Sequence, residues 1–301
     1  MEKIKSRTAW YVTYMPSGEE NTEWVEDKYI STVVHYDEWG NPISEEQYDP
    51  DGQITERYIR AFSGKDIVAS EQYETGEEGL VSSKVYERDS SGRLIREQGS
   101  YMEGGSENIH YMYSEDGLLL SRTAIDDEGD EEYREDFQYD NGLLVKERRW
   151  DYGDLVFELE KTYHENGMLA SEEERNLIEK SRRGKSFSYD DAGRISIESL
   201  LVDGKLLSRK TYTYDSEGRL GMVKEEEAFR RDELHIEYDE RGHAYLQKDV
   251  DKDGNVFQEV RRTFADTGLL LKVEVSMDGS RTGIARRYAI EYEYTFYPGM
   301  D

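Results

Sequence analysis

The sequence predicts an all-β protein. The expected form is an elongated antiparallel β-meander of two-stranded repeats, about 25 residues each, in a single-layer or curled sheet. Three observations predict it. A unit of aromatic residue, polar tip and glycine recurs at Tyr86…Gly92, Tyr113…Gly117, Tyr139…Gly142, Tyr163…Gly167, Tyr189…Gly193, Tyr214…Gly218, Tyr238…Gly242 and Phe264…Gly268, so successive glycines are 25, 25, 25, 26, 25, 24 and 26 residues apart. Side chains alternate before each glycine, as in Ile109, Tyr111 and Tyr113, or Tyr212 and Tyr214. Such period-two patterning is that of a strand. Finally, Asn-Gly and Asp-Gly pairs stand between the alternating runs, and they supply the positive φ angles of tight hairpins.

A second turn signal falls midway through many units. Gly129, Gly204, Gly254 and Gly279 follow Gly117, Gly193, Gly242 and Gly268 by 12, 11, 12 and 11 residues. One unit is therefore two strands and two turns, and 301 residues give about 24 strands, fewer if the ends are irregular. Three parts are expected: a cap over 1–35, a hairpin array over 36–283 and a capping strand over 284–301. In the first part, Trp10 to Trp24 shows no clear period. The array begins with Tyr36…Gly40 and Tyr48…Gly52 at the half-unit spacing, then loses register between Arg60 and Val85. In the last part, Ile284, Arg286, Tyr288, Ile290, Tyr292, Tyr294 and Phe296 alternate without a fault, and the run is expected to cover the hairpin around Leu269 to Val275. Glu172–Lys180 and Lys224–Arg231 are rich in helix formers but lack a 3.6-residue apolar stripe, so repeat register makes both strand–turn–strand.

Composition bounds the function. The net charge is 39 − 68 = −29, which repels phosphate and disfavours nucleic acid and anionic membrane surfaces. A basic protein would be attracted. Hydrophobic content of 36% argues against one large core, and 24 tyrosines suit a thin sheet, where the ring covers backbone and the hydroxyl stays wet. With no cysteine, disulfides, thiolate catalysis and Cys-based zinc sites are excluded. No apolar run reaches a membrane span, so no membrane insertion is expected, and no apolar leader is visible in Met1–Tyr14.

Tyr214-Asp215-Ser216-Glu217-Gly218-Arg219-Leu220 and Tyr189-Asp190-Asp191-Ala192-Gly193-Arg194-Ile195 resemble the YD repeat of Rhs and wall-associated bacterial proteins. Tyr163-His164-Glu165-Asn166-Gly167-Met168-Leu169 resembles the variant MORN repeat of an antitoxin-like bacterial family. Together the resemblance spans about residues 36 to 280. It implies a bacterial β-hairpin scaffold, often secreted, surface-borne or part of a toxin–immunity system, which slightly favours the cell envelope or a secreted mature chain over the cytoplasm. The chain departs from long Rhs proteins, which close a shell from many more repeats and carry a toxin beyond it; no extra C-terminal domain is expected here.

Candidates for chemistry are few. Asp251-Lys252-Asp253-Gly254-Asn255 looks like the start of a calcium loop, but the twelfth position is Arg262 instead of glutamate, so the loop pattern fails. Asp49-Pro50-Asp51-Gly52 is a similar fragment. His35, His110, His164, His235 and His243 show no metal spacing, and His243 reads as a turn-flanking residue. Phosphate-loop and nucleophile-elbow motifs do not occur, and Gly104-Gly105 opens no helix. The expected function is non-enzymatic, with no catalytic, cofactor or metal residues and no cofactor: a scaffold binding a protein partner, possibly basic, through its sheet surface. An immunity-type role against a basic toxin and a carbohydrate-binding role using exposed Tyr and Trp are the alternatives. Which residues bind, the oligomeric state and the compartment are not encoded in any motif.

Overall fold

The computed structural model describes residues 3–17, 23–281 and 283–298. In chain order the strands are β1 Ile4–Ser17, β2 Glu23–Tyr36, β3 Pro42–Tyr48, β4 Ile54–Gly64, β5 Ile67–Thr75, β6 Gly79–Arg88, β7 Leu94–Tyr101, β8 Ser106–Tyr113, β9 Leu119–Ile125, β10 Glu131–Asp140 and β11 Leu143–Asp151. They continue as β12 Asp154–Tyr163, β13 Leu169–Asn176, β14 Ser181–Tyr189, β15 Ile195–Val202, β16 Lys205–Tyr214, β17 Leu220–Glu227, β18 Arg231–Tyr238, β19 Ala244–Asp251, β20 Val256–Phe264, β21 Leu270–Met277 and β22 Arg286–Phe296. No helix occurs among the described residues. Both helix-rich segments are strand and turn: Glu172–Lys180 ends β13, and Lys224–Arg231 joins β17 to β18.

Two compact units share these strands. One is Met1–Val85 with Tyr101–Glu103 and Leu234–Asp301; the other is Tyr86–Ser100 with Gly104–Glu233. In the second unit, β7 to β17 pair antiparallel in strict chain order. In the first, the order runs β19-β20-β21-β22-β1-β2-β3-β4-β5-β6.

That order corrects the expectation of an open or curled sheet. β22 pairs with β21 on one side and with β1 on the other, placing Ala9 opposite Tyr292 and Tyr11 opposite Ile290. The first and last strands of the 22-stranded sheet are therefore neighbours, and the sheet closes. Each of these strands alone would present a row of unpaired amides and carbonyls; pairing them removes both edges. The side chains favour this seam. Tyr11 stacks on Tyr288 at 5.4 Å between ring centres and lies 5.7 Å from Tyr29. Lys28 reaches Glu291 across β1 at 2.7 Å, and Val12 and Ala289 are fully buried beneath. Residues 1–35, expected as a cap, supply the two longest strands of the sheet; the 18–22 connection within Trp10–Trp24 lies outside the described residues.

The core is thin. Fully buried apolar residues are few and small, among them Ala9, Val34, Val260 and Val275, and most strand side chains are half-buried. Along β8, Ile109, Tyr111 and Tyr113 are half-buried while His110 and Met112 are exposed, which is the alternation read from the sequence.

The repeat motif latches one unit to the next. Asp215 accepts the amides of Glu217 and Arg219 at 2.9 Å on Oδ1, and Arg219 Nε at 2.8 Å on Oδ2. Asp190 does the same for Ala192 and Arg194. The Arg194 guanidinium then lies 4.3 Å over the Tyr214 ring of the following repeat, and Tyr214 donates its hydroxyl to the Ile195 carbonyl at 2.8 Å. Tyr113, Tyr163, Tyr189 and Tyr294 make the same hydroxyl-to-carbonyl bond to Leu94, Leu144, Leu169 and Leu270. These five tyrosines pin a carbonyl in the preceding repeat by their hydroxyls, and the rings of Tyr113 and Tyr214 also carry an arginine. Tyr214→Phe is expected to cost about 1 kcal/mol in chemical denaturation, since it leaves the part-buried Ile195 carbonyl without this donor; an unchanged midpoint would show that the latch carries no net stability.

The turns explain the glycines. Asn141 and Gly142 have φ of 48° and 80°, the doubly positive pair of a two-residue type I′ hairpin. Gly218 has φ of 82°, and a Cβ there would stand 3.1 Å from Arg194 Nη1. Gly218→Val should therefore destabilise by roughly 1–3 kcal/mol through backbone strain. A thermal midpoint equal to that of the unaltered protein would refute the turn assignment.

Candidate binding surfaces

Residues that resembled chemical sites are engaged in architecture. Asp251 Oδ1 accepts the amides of Asp253 and Asn255 at 2.9 Å, and Asn255 Nδ2 reaches Oδ2 at 3.1 Å. Asp49 accepts the Gln53 amide at 2.8 Å. Both calcium-like fragments are turns in which aspartate satisfies backbone donors. Among the described residues no three His, Asp or Glu side chains are grouped to hold a metal ion. His243 occupies the motif's arginine position: Nδ1 lies 3.0 Å from Asp239 Oδ2, and the ring stacks on Phe264 at 4.5 Å. His164 meets Tyr189 edge-on at 5.9 Å.

Hydrogen bonds to the carboxylate hold the turn aspartates below the usual carboxylate range. For Asp190 and Asp215 the backbone amides of Arg194 and Arg219 dominate; for Asp89 it is the Arg93 side chain. A depressed folded pKa contributes stability that is present above the unfolded value near 3.9 and is lost as pH falls through the folded value. The urea midpoint is therefore expected to drop in acid below about pH 4. The drop should be smaller in the Asp89→Asn, Asp190→Asn, Asp215→Asn variant; parallel pH profiles for the two proteins would contradict the linkage.

One sheet face of the second unit carries an ionic network in place of an apolar core. Glu135, 4% exposed, contacts Arg122, reaches Arg149 at 3.2 Å and accepts from the Tyr133 hydroxyl. Burial works against the charge of Arg122, yet the hydrogen bond and charge of Glu135 outweigh it and hold the guanidinium above its usual pKa. Tyr111 donates to Glu97 and Tyr212 to Glu198; burial, then those carboxylates, push both phenols up. In the first unit Tyr48 is pushed up to about 12 by burial and Glu46. Two arginines share Glu135, and Glu97, Glu198 and Glu46 each accept a tyrosine hydroxyl, as fits an internal framework.

Two surfaces of the second unit stand out among the described residues. In an antiparallel meander every second turn lies at the same edge, so the β11–β12, β13–β14 and β17–β18 tips share one rim of the second unit. Neighbouring hairpin tips on such a rim are about 10 Å apart. These tips expose Tyr152 (73%), Ile178 (70%) and Phe229, which is entirely exposed. Tyr152 also has φ of 45°, a left-handed conformation that favours asparagine or glycine over an aromatic residue. On the opposite rim of that unit, a hollow of about 640 Å³ is lined by His164, Glu165, Asn166, Met168, Ser188, Tyr189 and Asp190. The sequence reading missed both, because the glycine register fixes where turns fall and says nothing of which turn residues stand clear of neighbours. The visible signal for the rim was an aromatic or aliphatic residue where turn chemistry asks for a polar one: Tyr152, Ile178 and Phe229.

Comparison with known proteins gives little beyond this. No protein-family model matches the chain, and no curated protein matches it. Among solved structures, it aligns over 88% of its length with a chain of the crystal structure of TcdB2-TccC3-Cdc42, at 13% identity and a TM-score of 0.31. It aligns over 83% of its length with TcdB2-TccC3, at 11% identity and a TM-score of 0.22. It spans only 16% and 22% of those two chains. A porin-like protein from Bacteroides uniformis ATCC 8492 aligns over 97% of this chain and 98% of its own, at 9% identity and a TM-score of 0.32. At such scores these likenesses carry no argument about function.

Proposed function

We propose that this protein is a non-enzymatic β-repeat scaffold that binds a protein partner. The observation that carries the reading is the rim of exposed Tyr152, Ile178 and Phe229 in the second unit. The Tyr152 hydroxyl reaches Glu132 at 3.3 Å, but most of its ring, like Ile178 and Phe229, is left in water, where large side chains cost solubility. Aromatic residues on a rigid frame offer contact area at little entropic cost, the usual composition of an interface hot spot. The strained Tyr152 fits the same reading, because a residue unsuited to its backbone is kept where it serves something other than the fold. The expected cost is specific. Tyr152→Asn should raise stability by roughly 0.5–1 kcal/mol by relieving the left-handed aromatic residue. The reading is tested by placing a photo-crosslinking residue at position 229 in cells that make the protein. One discrete adduct, lost in the Tyr152→Asn, Ile178→Ser background, supports it; no adduct from position 152, 178 or 229 refutes it.

A second reading, neutralisation of a basic protein such as a toxin, is favoured by the net charge of −29. Such a field speeds encounter with a cationic partner and fades with salt. Association that weakens steeply between low and physiological ionic strength would support it.

A further inference from the structure

The rim that carries Tyr152 and Ile178 is electrically polarised along its length. Its tips follow one another as β9–β10, β11–β12, β13–β14, β15–β16 and β17–β18. Hydrogen bonds tie the first four together: the Tyr152 amide donates to the Glu132 carbonyl, Leu177 to Val156 and Asp203 to Arg182. Residues 124–132 hold six acids, Asp126, Asp127, Glu128, Asp130, Glu131 and Glu132, and no base. Residues 149–156 hold Asp151 and Asp154 against Arg149, which Glu135 and Glu147 already engage. The balance then reverses. Residues 176–183 hold Lys180, Arg183 and Arg182, the last bound by Glu173, against Glu179. Residues 202–209 hold Lys205 and Arg209 against Asp203. At the last tip Arg230 and Arg231 are taken by Asp232 and Glu226. The opposite rim shows no reversal: its turns 114–118, 140–143, 164–168, 190–194 and 215–219 are all net acidic.

Four tip residues display this polarity without an internal partner. Glu128, Asp154, Lys180 and Lys205 are exposed, and among the described residues none of their side chains makes an ion pair. Lys180 has φ of 55°, a left-handed conformation better suited to glycine or asparagine, so it, like Tyr152, is kept for something other than its turn. Where the acidic stretch gives way to the basic one stand the two apolar tips, Tyr152 and Ile178. Such an order is self-complementary. Two copies set rim to rim about a twofold axis run antiparallel, so that residue i of one meets residue j of the other while j meets i. With the axis between the β11–β12 and β13–β14 tips, Tyr152 meets Ile178 of the second copy, Asp154 meets Lys180, and Glu128 meets Lys205. Four tips about 10 Å apart bury on the order of 1,000 Å² in all, the size of a transient interface.

We infer that the partner of this rim is a second copy of this chain, held in a weak twofold dimer. This self-pairing rests on the protein-binding reading and identifies its partner. The test is sedimentation velocity of the full chain at physiological ionic strength. There a Debye length of about 8 Å screens the repulsion between two chains of net charge −29 but spares contacts at facing tips. The unaltered chain is expected to pass from monomer to dimer as its concentration rises from micromolar towards millimolar. Two charge-reversed chains are compared with it: Glu128→Lys, Asp154→Lys and Lys180→Glu, Lys205→Glu. Each sets like charges across the axis and should weaken self-association roughly tenfold or more. Mixed one to one, the two should form a heterodimer as tight as the unaltered dimer, because every facing pair is again opposite in sign. Both variants remain strongly acidic, so general attraction between them does not account for the rescue. Tyr152→Ser, Ile178→Ser should weaken the dimer with no change of charge. All six positions are exposed, and a thermal midpoint no lower than that of the unaltered chain verifies each fold. A chain that stays monomeric throughout, self-association indifferent to either reversal, or no heterodimer on mixing would overturn the dimer. A monomeric chain whose photo-crosslinked adduct carries a different protein would defeat the self-pairing and leave the scaffold reading standing.

Discussion

A chain ending near Gly283, without β22, is expected to lose most of its soluble yield, a larger effect than any single substitution in a turn. The strand carries Tyr288, Ile290, Tyr292 and Tyr294 on one face and pairs on both sides, with β21 and β1. Its removal uncovers the whole edge of β21 and one edge of β1. It also takes away the ring that stacks on Tyr11 and the carboxylate that holds Lys28 and Lys272. Long, uncovered strand edges next to apolar surface are templates for pairing between molecules. Size-exclusion chromatography with light scattering checks this. A truncated chain that stays soluble and elutes as the unaltered protein does, at high concentration, would show that the seam is dispensable.

Glu135→Ala is expected to be the most destabilising substitution in the second unit, at roughly 2–3 kcal/mol in chemical denaturation. Glu135 is nearly buried and faces Arg122 on β9 and Arg149 on β11, so its loss leaves two half-buried guanidinium groups without their shared carboxylate. The figure lies below that for a fully buried pair because both arginines keep more than a third of their surface in water and recover hydration there. Glu225→Gln serves as the contrast. Glu225 faces Lys210 at 3.6 Å and is itself half-buried, at 39% exposed against 6% for Glu135, and its loss should cost under about 0.5 kcal/mol. Equal effects from the two substitutions would mean that burial does not govern the network.

The repeat architecture was legible because it is local. Eight glycines at near-constant spacing, each after a polar tip, dictate hairpins through φ alone, and the alternation around Tyr111 or Tyr212 names the crowded face. The helix-rich composition of Glu172–Lys180 misled nothing, since strand pairing on both sides overrides a weak propensity. Closure was not legible. The pairing of Ala9 with Tyr292 joins residues 283 positions apart (292 − 9), and no pattern in either strand records its partner. The aromatic alternation of residues 284–296 did reveal a strand that must lie against something, yet not that its second neighbour is β1. The ionic network was hidden for the same reason. Glu135, Arg122 and Arg149 sit on three strands, and each reads in isolation as an ordinary solvated charge.

The central claim is that this repeat array closes through its first and last strands, and disulfide trapping tests it most directly. The natural chain has no cysteine, so Ala9→Cys with Tyr292→Cys introduces a single pair at positions directly opposite in β1 and β22. Closure predicts an intramolecular disulfide under mild oxidation, at low protein concentration, with the thermal midpoint held or raised. The control pair Ala9→Cys with Ser70→Cys, four strands apart within the same unit, should stay reduced. Free thiols at positions 9 and 292 under those conditions, together with rapid amide exchange along β1 and β22, would contradict the closed sheet.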